Sequence, residues 1–147
     1  MKKYLDIVNE VHKSPYKLTI VSSGGGTNAI SALLEVPGAS NTILESHIPY
    51  SKESMNSFLN KKPDHYCSLD TCLNMAANAF KKSKQIDTTS KTKHLLGISI
   101  TANLATTYEK KGDHKFFIVV QAYDYTKYLE CYFCLLYTSP SPRDLDL

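Results

Sequence analysis

Leu5, Val8 and Val11, joined by Ile7, recur at the spacing of one helix face, and Pro15 closes that segment. Residues 17–21 form a short apolar run that reads as a buried strand. In residues 27–36 the pattern returns to helical spacing through Ala29, Ile30, Leu33 and Leu34, and Pro37-Gly38 stops it. Residues 42–48 favour a strand. A short helix is predicted over 51–59, with Ser51 as its N-cap. Ser68 caps the next helix, and Asp70 in its first turn complements the helix dipole. Leu73, Met75, Ala76, Ala79 and Phe80 give that helix a small apolar face suited to packing on a sheet.

The second half changes period. A polar stretch at 85–93 reads as a loop, 95–101 as an apolar strand, and 102–114 as a long loop. Residues 115–123 are the strongest strand in the chain. After a short turn at 124–126, residues 127–133 alternate Tyr128, Glu130 and Tyr132 against Leu129, Cys131 and Phe133, the pattern of a hairpin partner. Strands alternating with helices, followed by a terminal hairpin, predict a three-layer α/β/α fold with a mixed sheet. A complete domain of this kind would need one more helix over the hairpin. The expected fold is therefore one cut short before its last covering helix.

The length, 147 residues, suits one domain, and the composition of 42% apolar and 21% charged residues is that of a globular protein. A net charge of +3 with isolated lysine pairs argues against a nucleic-acid groove. No run has transmembrane length and the N-terminus lacks a signal-peptide core, so the expected compartment is cytoplasmic, with nuclear and organellar addresses left open. Cys131-x-x-Cys134 is half of a zinc or redox motif, but Cys67 and Cys72 do not complete it, so no metal and no cofactor are expected. Residues 134–147 read as a non-native tail resembling a translated sequencing-adapter sequence. The expected organisation is one truncated domain over 1–133, followed by that tail.

The candidate chemistry lies between 19 and 51. Thr19-Ile-Val-Ser-Ser-Gly-Gly-Gly-Thr27 is a strand, a glycine turn and a helix start, a layout that aims free backbone N–H groups at an anion. Ser23, Gly24, Gly25, Gly26 and Thr27 are the candidate cradle. The alternative is a tight turn with no ligand. No Gly-Lys-Ser/Thr follows, so this is not a Walker loop. Tyr50 follows a strand end, where sites in α/β folds collect, and is expected to face the pocket.

The order of Ser23-Gly24-Gly25, Val36-Pro-Gly-Ala-Ser40, Tyr50-Ser51 and Ser68-x6-Met75-Ala76 resembles the CinA-like (competence/damage-inducible) C-terminal domain family, from about residue 17 to 133. The chain is more similar to a eukaryotic branch whose CinA-like domain precedes a nucleotidylyltransferase-like domain, on Val36–Thr42, Pro49-Tyr50-Ser51 and Gly112-Asp-His-Lys-Phe-Phe117. The resemblance implies a five-stranded mixed sheet, a homo-oligomer, and kinship with bacterial nicotinamide-nucleotide amidohydrolases. In those enzymes a serine nucleophile works with a tyrosine and a lysine. The serine corresponds to Ser23 and the tyrosine to Tyr50, while the lysine position holds Met55. The family's glycine- and proline-containing loop corresponds to 101–106, with Thr101 as a candidate ligand contact. A serine needs a base to take its proton, and a methionine cannot serve. The resemblance thus implies a degenerate domain that binds a pyridine nucleotide or another phosphorylated small molecule. The alternatives are an amidohydrolase with Ser23 activated by another group, and a structural oligomerisation domain.

Overall fold

In the computed structural model, the described residues are 4–103 and 114–133. They form four helices and five strands: α1 (Leu5–Lys13), β1 (Lys17–Ser23), α2 (Thr27–Glu35), β2 (Ile43–His47), α3 (Lys52–Leu59), α4 (Leu69–Ile86), β3 (Leu95–Asn103), β4 (His114–Gln121) and β5 (Thr126–Phe133). One mixed sheet runs in the order β2-β1-β3-β4-β5. β1 is parallel to both β2 and β3, whereas β3–β4 and β4–β5 are antiparallel. The three-layer α/β expectation holds. The expected tail and most of the expected 102–114 loop lie outside the described residues.

Alternation along the strands assigns the two faces. Leu18, Ile20 and Ile100 pack with Ile30 and Leu33 of α2. Val21 on the opposite face packs with Met55 and Leu59 of α3 and with Met75 and Ala79 of α4. Cys72 and Ala76 continue α4 across Phe117 and Val119 of β4. The predicted small face of α4 is thus the one that meets the sheet. Gly97 shows why it must be small: a Cβ there would stand 2.1 Å from the Phe80 nitrogen and 2.4 Å from the Ala76 oxygen. The helix backbone rests directly on β3.

The helix caps follow the sequence. Ser51 accepts from the Ser54 N–H, and Ser68 accepts from the Thr71 N–H, each at 3.1 Å. One expectation is corrected in α1: Val8 is buried, but Ile7 is 64% exposed. Ile7 is one residue from Val8, so it lies about 100° around the helix from the face that packs. His12 completes that face. Its Nδ1 lies 2.7 Å from the Thr42 hydroxyl, and its Nε2 donates to the Leu33 carbonyl, tying α1 to the end of α2 and the start of β2.

In the hairpin, β5 is an edge strand. Tyr128, Leu129 and Tyr132 are more than half exposed, so this edge is less covered than the rest of the sheet.

Candidate functional site

The chain leaves β1 through α2 to reach β2 on one side, then returns through α3 and α4 to β3 on the other. The strand order therefore reverses at β1, and the C-terminal ends of β1 and β3 frame a switch point, where open α/β sheets place their ligands. Ser23, the last residue of β1, is the ladder partner of Thr101 in β3. The glycine turn starts at this point.

Two of its three glycines are required by geometry. Gly24 has φ +77°, and a Cβ there would lie 2.1 Å from the Ala102 carbonyl oxygen. Gly26 has φ +91°, and its Cβ would lie 2.6 Å from Cγ2 of Ile100. The turn therefore lies flat on the end of β3. Ser22 is fully buried and its hydroxyl donates to the Gly25 carbonyl, pinning the turn from within. Gly26 caps α2 in the left-handed conformation, without a side-chain cap and with no acidic residue in the first turn. Gly24, Gly26 and Thr27 are exposed, so the N-terminal end of α2 is open to solvent and keeps its positive pole.

The remaining expected site residues part from this turn. The Ser23 hydroxyl donates to the Pro49 carbonyl at 3.3 Å, an arrangement that gives its proton an acceptor but no base. Thr101 is 2% exposed and its hydroxyl donates to the Tyr66 carbonyl at 3.4 Å, so it is turned into the protein. Tyr50 is 82% exposed. Its neighbour Pro49 is buried instead, and that placement turns the next side chain outward. Met55 is 1% exposed among Val21, Leu59, Met75 and Ala79. Met55 is thus part of the α3–α4 core.

Cys72 is a core residue under α4. Burial pushes the Cys72 thiol up to about 11, against partial relief from its contact with the Ser99 hydroxyl. Cys131 is half-buried, while Cys134 lies outside the described residues. Among the described residues no group of histidines, cysteines and carboxylates could hold a metal ion.

His47, the last residue of β2, is held by its neighbours. Its Nε2 pairs with the Glu45 carboxylate, Lys82 lies 3.9 Å from the same carboxylate, and the Phe58 ring stands 5.3 Å away at 53°. The signal was present as an acid and a histidine two apart on one strand face.

Several solved structures share this architecture. A CinA-superfamily protein from Enterobacter cloacae superposes with a TM-score of 0.65 at 15% identity, over 95% of this chain and 78% of that one. One from Klebsiella pneumoniae gives 0.66 at 13% identity over 89% and 81%. A competence/damage-inducible protein from Agrobacterium tumefaciens gives 0.62 at 16% over 85% and 75%. The fold is that of CinA-superfamily proteins. No family model matches the chain, and no curated protein matches it in sequence. At these identities the likeness concerns the CinA-like fold alone. Among the described residues no helix is long and apolar enough to cross a membrane.

Proposed function

We propose that this chain is a catalytically degenerate CinA-like domain that binds a phosphorylated small molecule, a pyridine nucleotide by the family resemblance, at the glycine turn. One observation carries the reading: Gly24–Gly26 lies flat at the β1–β3 switch point and leads into a helix whose exposed N-terminal end has neither a side-chain cap nor an acidic residue. A phosphate there would meet free N–H groups and the positive end of α2. The degenerate part of the reading rests on Met55, whose burial leaves no room for a charged base, and on the Ser23 hydroxyl, which is directed at a carbonyl. The role that follows is ligand sensing for a nucleotidylyltransferase-like partner domain in pyridine-nucleotide metabolism, in a homo-oligomer.

The test is thermal unfolding with nicotinamide mononucleotide and, separately, inorganic phosphate. Ligand at a hundredfold excess over Kd should stabilise the fold by ~2.7 kcal/mol. Thr27→Asp separates binding from folding. A carboxylate at the first helical position favours the helix dipole and repels phosphate, so unliganded stability should hold or rise slightly while the ligand shift disappears. An unchanged melting curve with both ligands would instead leave a structural domain. Release of nicotinic acid mononucleotide, abolished in Ser23→Ala, would restore the amidohydrolase reading.

A further inference from the structure

We propose a second binding site, for a small uncharged aromatic molecule, in the cleft between the end of β2 and α3. The cleft has a volume of about 340 Å³ and is lined by His47, Ile48, Pro49, Ser54, Ser57 and Phe58. That volume is near the lower end of small-molecule pockets, the size of a single substituted ring.

His47 is built to present one nitrogen to this space. The Glu45 carboxylate accepts from Nε2, which orients the ring and leaves Nδ1 as its other polar atom. Nδ1 has no hydrogen-bond partner among the described residues. Phe58 braces the ring, and Val21, the ladder partner of His47, is locked in the core. The ring is therefore held in place before any ligand arrives, so little ordering cost falls on binding.

The opposite wall supplies complementary groups. Ser54 and Ser57 are one helical turn apart on α3, and both line the cleft. Neither side-chain hydroxyl has a hydrogen-bond partner among the described residues. Ile48, Pro49 and Phe58 provide apolar surface for a ring face. Behind His47, Lys82 lies 3.9 Å from the Glu45 carboxylate and offsets its charge. The chemistry selected is an aromatic ring with one hydroxyl, able to donate or accept, at Nδ1 of His47 and a second polar substituent accepting from a serine.

This site is distinct from the glycine turn. Pro49 divides them, with its carbonyl held by Ser23 and its ring against the cleft. The two proposals can therefore fail separately.

Resorcinol is a suitable probe, titrated into the protein while the His47 imidazole resonances and the backbone amides are followed by NMR. A saturable shift at His47, Ser54 and Ser57 is expected, with amides of Gly24–Thr27 unmoved. His47→Phe keeps a ring against Phe58 and removes Nδ1, and Ser54→Ala/Ser57→Ala removes the hydroxyls from an exposed helix face. Each variant, shown to be folded by its amide dispersion, should weaken binding at least tenfold. No saturable shift in the wild type, or equal binding by both folded variants, would overturn the proposal. A shift confined to Gly24–Thr27 would overturn it as well, since the ring would then have chosen the other site.

Discussion

Met55 shows how much one side chain decides. At 1% exposure between α3 and α4, it has no route to solvent for a charged head group. Met55→Lys should cost ~4 kcal/mol at pH 7, because a buried lysine gives up its proton several pH units below its ordinary value. The sign is fixed by proton uptake: the unfolded chain binds the proton that the folded chain refuses, so the variant should gain stability as pH rises. Denaturant titrations at pH 6 and pH 9 check both the loss and its slope. The same residue was legible in the sequence as a missing base. Its burial was not, because helical spacing alone places Met55 on the same face as Leu59 without saying what that face meets.

Two elements carry constraints that their own sequences only half reveal. Gly97 is where the backbone of α4 touches β3, and its Cβ would meet backbone atoms that cannot rotate away. Gly97→Ala should therefore destabilise by ~3 kcal/mol, the upper range of overpacking, measurable as a lower denaturation midpoint. The small residues of α4 announced a close approach, but only the packed structure shows that β3 must supply the matching gap. The connection from α4 to β3 has its own device. Asp87 accepts from the Ser90 hydroxyl and from the Ser90 and Thr89 N–H groups, and these bonds hold its carboxyl well below the usual carboxylate range. The folded value is depressed, so the contribution is complete above the ordinary carboxylate value and is lost as pH falls below it. Faster amide exchange of Thr89 and Ser90 is expected as pH drops from 5 towards 2, relative to an Asp87→Asn control. The residue is only half-buried, so solvent screening keeps its effect local to this turn and leaves the melting temperature nearly unchanged.

For the whole molecule, the sheet order sets the gradient of stability. β1 and β3 are central, and β1, β3 and β4 are the strands that α4 crosses, whereas β5 is an edge strand with Tyr128, Leu129 and Tyr132 more than half exposed. Local opening free energy rises with buried apolar contact, so exchange should begin in β5 and end in β1 and β3. Native-state hydrogen exchange in increasing denaturant reads that order directly, and simultaneous exchange of all five strands would contradict it. The same topology brings the glycine turn to the β1–β3 switch point, so the proposed anion site sits on the most stable part of the sheet. The His47 cleft lies beside the neighbouring edge strand β2.

Local chemistry made much of this protein legible from its sequence. The Ser51 and Ser68 caps, the Pro37-Gly38 stop, the period change into the hairpin and the glycine turn after β1 each depend on residues a few positions apart. Helix and strand boundaries therefore fell close to their expected places. What the tertiary structure decided were relations between distant segments. It turned Tyr50 outward beside buried Pro49, sealed Thr101 against Tyr66, and fixed Gly24 and Gly26 to the end of β3. It also joined Glu45, His47, Lys82 and Phe58 around one ring. The physical reason is packing: a side chain's spacing fixes the face it occupies, but only the elements laid against that face determine whether it meets solvent, core or ligand.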